Sequence, residues 1–134
     1  ERATYEHYAK RIRWPLSLFE IPENRGSSKA GDSKNLSRAL PSGAVVIALD
    51  ERGDNLSSAQ FAERLRGWRD NGTADIAFVI GGADGLPADV RESAELVLSF
   101  GRVTWPHLLM RALLVEQIYR AQQILDGHPY HRAD

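Results

Sequence analysis

Ala44-Val45-Val46-Ile47-Ala48-Leu49 is an unbroken apolar run closed by the charged group Asp50-Glu51-Arg52-Gly53-Asp54. A strand with one wet face alternates apolar and polar residues. A run without alternation predicts a strand buried on both faces, and the charged group after it reads as a polar turn. The pattern repeats twice. Ile76-Ala77-Phe78-Val79-Ile80 runs into Gly81-Gly82-Ala83-Asp84-Gly85, and Leu96-Val97-Leu98-Ser99-Phe100 runs into the loop Gly101-Arg102-Val103-Thr104-Trp105-Pro106-His107. Helical signals lie between the runs. Ser57 with Gln60 three residues on makes a capping box. Phe61, Leu65 and Trp68 mark the buried face of that helix, and Asn71-Gly72 ends it. Pro87 opens another helix, where a missing backbone donor costs nothing. Strands alternating with helices predict an α/β domain: a mainly parallel sheet with helices on both faces.

Upstream, Tyr5, Tyr8, Ala9 and Ile12 recur at helical spacing, so residues 1–13 read as the end of a helix stopped by Trp14-Pro15. Residues 16–21 alternate and predict a short strand. Residues 22–34 are polar and glycine-rich, which reads as a loop, and residues 36–40 as a short helix before Pro41-Ser42-Gly43. Downstream, residues 108–125 predict a long helix terminated by Asp126-Gly127. Its first half, with Leu108, Leu109, Met110, Ala112, Leu113, Leu114 and Val115, leaves almost no polar face. A helix apolar all round needs cover on all sides, which predicts that a second copy supplies part of it: a homodimer.

The 134 residues suit a single domain. No apolar run reaches bilayer length, so no membrane partner is expected. The first residues are polar and there are no cysteines, which suits a cytoplasmic protein and excludes disulfides and thiolate chemistry. The net charge is -1, so the whole molecule is no electrostatic sponge for nucleic acid. Its cations are nevertheless 14 Arg against 3 Lys. Arginine binds phosphate through a planar fork, although a GC-rich genome produces the same bias.

In open parallel sheets, ligands bind beyond the carboxyl ends of the strands. Three such ends carry unusual residues: Leu49-Asp50, the glycine cluster 81–85, and the loop 101–107. The cluster is neither a phosphate-binding P-loop nor a dinucleotide fingerprint, because both spacings are absent. A tight strand-to-helix turn would use the same glycines. His107, His128 and His131 crowd the last 28 residues. His128 and His131 are spaced for two metal ligands, but no carboxylate pattern completes a zinc motif, so no metal is expected. No nucleophile elbow is present. The tail His128-Pro129-Tyr130-His131-Arg132 offers two imidazoles, a phenol and a guanidinium. These groups can stack on a base, donate to phosphate and relay a proton. A solvated chain end with incidental aromatic content is the bland alternative.

Taken together, Ala48-Leu49-Asp50, Phe78-Val79-Ile80-Gly81-Gly82-Ala83-Asp84-Gly85, Leu98-Ser99-Phe100, Thr104-Trp105-Pro106-His107, Glu116-Gln117-Ile118-Tyr119-Arg120-Ala121 and the tail resemble the RlmH (YbeA) family in order and spacing. The resemblance implies a SPOUT-class methyltransferase with a C-terminal trefoil knot, working as a homodimer. It implies methylation of N3 of a pseudouridine in helix 69 of 23S rRNA on the assembled ribosome, with S-adenosylmethionine as donor. The family would place the cofactor on Leu49, Asp50, Gly81, Gly82, Gly101, Arg102, Val103, Thr104, Trp105 and Pro106. The expected target-base and proton-handling residues are His131, His107, Arg132 and Tyr130: either histidine assisting loss of the N3 proton, Arg132 stabilising charge on a carbonyl, Tyr130 holding the base. In a dimer the tail of one subunit would serve the cofactor of the other. Arg25, Lys29 and Lys34 are candidate phosphate contacts. The family normally opens with a strand before residue 1 and has a longer helix where residues 31–39 stand, so the chain reads as a single domain over 1–134 lacking its first strand. A non-catalytic RNA-binding or ribosome-assembly protein of the same fold, or methylation of a different RNA, are the competing expectations.

Overall fold

A computed structural model describes residues 2–13, 16–20, 40–81 and 86–131. They gather into two compact units, drawn from Pro15–Asn55 with Thr73–Thr104, and from Glu1–Trp14, Leu56–Gly72 and Trp105–Asp134.

The first unit is built on a sheet. Its strands are β1 (Leu16–Glu20), β2 (Val45–Asp54), β3 (Ile76–Ile80) and β4 (Leu96–Leu98), in the spatial order β1-β3-β2-β4. Every neighbouring pair is parallel. The apolar runs behave as their composition requires: all five residues of β3 are buried, and so are Ile47, Ala48 and Leu49 of β2. The α/β class with a parallel sheet follows from these strands, as expected. A short helix, α3 (Ala88–Ser93), follows β3. Pro87 sits just before its first turn, as the N-cap residue. Leu86 and Val90 pack on Ala48 and Val79, with Val46 and Val97 at the margin.

One expectation changes. The charged group 50–54 lies within β2, not in a turn after it. The ladder to β4 pairs Leu49 with Leu98 and then Asp54 with Leu98 again, so the residues between bulge out of register. Two features explain the bulge. The Asp50 carboxylate accepts the backbone N–H of Arg52 at 2.9 Å, which curls the chain locally. Gly53 then passes so close to β4 that a Cβ would lie 2.5 Å from the Val97 carbonyl oxygen.

The second unit is helical: α1 (Arg2–Ala9), α2 (Ser58–Asp70) and α4 (His107–Leu125). The capping box of α2 is present in full. Gln60 N–H donates to Ser57 Oγ at 3.1 Å, and the Ser57 N–H donates to Gln60 Oε1 at 2.9 Å. Phe61 and Leu65 are buried as expected, while Trp68 is half-buried. Ser58 Oγ donates to Gln117 Oε1 of α4 at 2.7 Å. The buried Gln122 of α4 clasps the chain leaving α1. Its Oε1 accepts Arg13 N–H at 2.8 Å and its Nε2 donates to the Arg11 carbonyl at 3.1 Å, so neither end of the amide is stranded.

Helix α4 is not buried on every side. Ala112, Leu114, Val115, Ile118 and Ala121 are buried, but Leu108 is 50% exposed. Among the described residues, no helix is long and apolar enough to cross a membrane. The loop expected at 22–34 and, apart from Leu40, the short helix expected at 36–40 lie outside the described residues.

Candidate functional site

The sheet register aligns the strand ends. Leu49 stands opposite Ile80 of β3 and opposite Leu98 of β4, so Asp50, Gly81 and Ser99 emerge at one carboxyl edge. Asp50 organises that edge. Its side chain is 1% exposed and takes both ends of the Arg52 guanidinium, Nε to Oδ1 at 2.8 Å and Nη2 to Oδ2 at 2.7 Å. It also accepts the backbone N–H of Leu86 at 3.3 Å, and Arg91 Nε lies 3.9 Å away. The hydrogen bonds from the Arg52 side chain lead in lowering its pKa from 3.8 to about 2, against the opposing effect of burial. The carboxylate therefore stays ionised, and it ties the end of β2 to the chain entering α3.

The third strand end is shaped by Ser99. Its buried hydroxyl accepts Gly101 N–H at 3.0 Å and lies within donating reach of the carbonyls of Gly101 and Glu51, at 3.0 and 3.3 Å. Gly101 has φ +110, a conformation that side chains avoid, and a Cβ there would enter open space. Arg102, Val103, Thr104 and Pro106 are exposed and Trp105 is half-buried. Val103 stands out as an aliphatic side chain 60% open to water. Gly82 lies outside the described residues, as does the rest of 82–85.

Residues 128–131 of the tail are docked, not frayed. Gly127, at φ +71, turns the chain back after α4. The Tyr130 hydroxyl donates to Glu116 Oε1 at 3.1 Å and lies 3.3 Å from the Tyr8 hydroxyl. The Tyr130 ring meets Tyr119 edge-on, with centroids 4.9 Å apart, and the Arg120 guanidinium lies over the Tyr130 ring, 4.9 Å from its centroid. Burial, helped by the bonds to Tyr8 and the Glu116 charge, raises the Tyr130 pKa well above the usual phenol range. Arg120 also binds Glu116, through Nε at 2.9 Å and Nη2 at 2.7 Å, and places Nη1 3.0 Å from His131 Nδ1. Glu116 keeps its second oxygen on Gln117 Nε2 at 2.9 Å. His128 Nδ1 accepts the Tyr130 N–H at 3.2 Å.

Of the tail residues, then, Tyr130 and His131 come together in one polar cluster with Glu116 and Arg120. His128 faces its own backbone. His107 begins α4, and nothing is described of its side chain. Arg132, Arg25, Lys29 and Lys34 lie outside the described residues. The sequence reading passed over Glu116, Arg120, Tyr8 and Tyr119 as site residues. Their one local signal was the Glu116–Arg120 spacing, a four-residue ion pair on a helix. It also passed over Arg52 and Leu86 as partners of Asp50.

Residues 1–131 match the family described as predicted SPOUT methyltransferase. The chain is 54% identical, over 98% of its length and 90% of the relative's, to the ribosomal RNA large subunit methyltransferase H of Rhodospirillum centenum. It is 52% identical, with the same coverage, to the protein of that name from Paramagnetospirillum magneticum. Among solved structures, a probable methyltransferase from Bordetella pertussis superposes with a TM-score of 0.58 over 88% of this chain and 86% of that one, at 14% identity. That likeness speaks for the fold.

Proposed function

The chain belongs to the SPOUT methyltransferase family, and from that premise we propose that it transfers a methyl group to the RNA of the large ribosomal subunit. The observation that carries the reading is the 54% identity across 98% of the chain with a protein whose name states that activity. By the family likeness the target is N3 of a pseudouridine in helix 69 of 23S rRNA on the assembled ribosome. The same reading takes 1–134 as one methyltransferase domain with a C-terminal trefoil knot, acting in the cytoplasm.

S-adenosylmethionine is the donor this reading requires, and it supplies an electrophilic methyl group when bound. The strand ends suit such a ligand. Gly81 and Gly101 carry no side chain at the carboxyl edge of the sheet, and the space a Cβ would take at Gly101 is open. Leu49, Asp50, Gly81, Gly82, Gly101, Arg102, Val103, Thr104, Trp105 and Pro106 are the proposed holders. Asp50 serves by shape. Its oxygens are committed to Arg52 and Leu86, so it sets the path of the backbone that meets the ligand.

The tail is assigned to the target base. Removing the N3 proton leaves charge on the flanking carbonyls of the base, and side-chain donors aimed at those oxygens lower the cost. His131 and Arg132 are the proposed donors, with His107 a second candidate for handling the proton. Tyr130 holds the tail in place through Glu116. A homodimer belongs to the same reading, supported by Val103 and Leu108, two exposed aliphatic side chains 60% and 50% open to water.

The test is methyl transfer from labelled S-adenosylmethionine to intact ribosomes and to free rRNA, with the modified nucleotide mapped by mass spectrometry. Label in 23S rRNA, with ribosomes preferred, supports the reading. Cofactor binding without label in any RNA would sink it.

A further inference from the structure

Arg120 has only donors to offer, because a guanidinium carries no available lone pair. Its Nη1 lies 3.0 Å from His131 Nδ1. That contact is a hydrogen bond only if Nδ1 presents a lone pair, so the single proton of the neutral ring sits on Nε2. Arg120 is not free to swing away. Glu116 holds its Nε and Nη2, at 2.9 and 2.7 Å, and the side chains of this pair are only 26% and 20% exposed. The Tyr130 ring closes one face of the guanidinium at 4.9 Å, and its hydroxyl binds the same Glu116 oxygen at 3.1 Å. Glu116 and Tyr130 thus clamp Arg120 in place against the imidazole edge that carries Nδ1.

We propose that Arg120 is a positioning residue that fixes His131 as its Nε2–H tautomer, so that His131 meets the RNA as a hydrogen-bond donor and not as a proton acceptor. This rests on the reading that the tail contacts the target base. The N3–C bond forms, the C–S bond of the donor breaks with its electron pair going to sulfur, and the N3 proton goes to water. His131 keeps its proton throughout. Its Nε2–H stabilises the charge that gathers on a base carbonyl while N3 loses hydrogen.

Two measurements test this. The first is nitrogen-15 NMR of the imidazoles in the full chain, with the His131 signals assigned by their loss in His131→Ala. The expected result is the Nε2–H pattern in the unmodified chain and a mixture of tautomers in Arg120→Gln, with Arg120→Lys in between. A predominant Nδ1–H form in the unmodified chain overturns the inference, whatever the activity, and needs no variant to fold. The second is methyl transfer to ribosomes. A glutamine amide can donate where Nε2–H donates but cannot take up a proton. His131→Gln is therefore expected to keep kcat within about 10-fold, while His131→Ala loses roughly 10²–10³-fold, the usual cost of removing a donor to developing charge. Equal losses in the two variants overturn the donor role. If the tautomer is as expected but His131→Ala turns over normally, the tail does not act on the base. That outcome overturns the donor role through the reading it rests on, while the clamp on Nδ1 stands.

Discussion

Tyr130 and Glu116, fourteen residues apart, are joined by a hydrogen bond of 3.1 Å from the phenol to the carboxylate. That bond pins residues 128–131 against α4. It also lets one carboxylate hold both the tail and Arg120, the residue that meets His131.

Tyr130→Phe removes the hydroxyl and leaves the ring edge-on to Tyr119. We expect a loss of about 1 kcal/mol, the usual net value of one hydrogen bond, read by urea unfolding. The folded-state pKa of Tyr130 is raised, so the stability linked to it is full below about pH 10, the ordinary phenol value, and is lost as pH rises beyond it. Phenolate absorbance against pH should show that Tyr130→Phe removes a late-ionising component present in the unmodified chain. A late component of unchanged amplitude in Tyr130→Phe would contradict the assignment.

Asp50→Asn keeps the size of the side chain and removes its charge. The folded pKa is lowered from 3.8 to about 2, so the stabilisation is present above about pH 4 and fades as pH falls toward 2. A shift of this size corresponds to roughly 2 kcal/mol. Urea unfolding at pH 7 should separate the two proteins by that order, and the gap should close at pH 2–3. Calorimetry with S-adenosylmethionine should show weaker binding for the variant, because the edge that carries Gly81 and Gly101 loses its tie. An unchanged gap across this pH range would show that the ionised carboxylate is not what matters.

Gly53→Ala places a methyl 2.5 Å from the Val97 carbonyl oxygen and 2.9 Å from Leu98 N. Both are backbone atoms that cannot turn aside, so β2 and β4 must part. The expected cost is about 1–3 kcal/mol, typical of overpacking, seen as a lower Tm. Gly67→Ala, where a Cβ meets nothing within 4 Å, is the matched control and should not lower the Tm.

Leu108→Glu puts a charge on the exposed apolar side of α4. Sedimentation equilibrium should give twice the chain mass for the unmodified protein and a shift toward the single chain for the variant. A single-chain mass for the unmodified protein at micromolar concentration would remove the dimer from the reading.

Local patterns were legible because their physics is local. The capping box of Ser57 and Gln60 spans three residues, and the backbone geometry of a helix start leaves it one arrangement. The apolar runs at Val45 and Ile76 report their burial through composition alone. The same local reading misplaces 50–54 as a turn, because exposed charge does not by itself end a strand: Glu51, Arg52 and Asp54 are exposed and yet lie in β2. Asp50 carries its own partner two residues on, and a paired carboxylate can be buried.

By itself the sequence determined the α/β class, the three strand ends as the places to look, and the likeness that supports a methyl-transfer reading. Only the tertiary structure decided the strand order β1-β3-β2-β4, the row that sets Leu49 beside Ile80 and Leu98, and the partners of the tail. The physical reason is distance along the chain. Periodicity and capping couple residues within a turn or two, whereas the bonds of Tyr130 to Tyr8 and of Arg120 to His131 exist only once Gly127 has reversed the backbone and packing has brought α1 against α4. The tail that composition left balanced between a frayed end and a site is held by residues that no pattern within the tail itself could name.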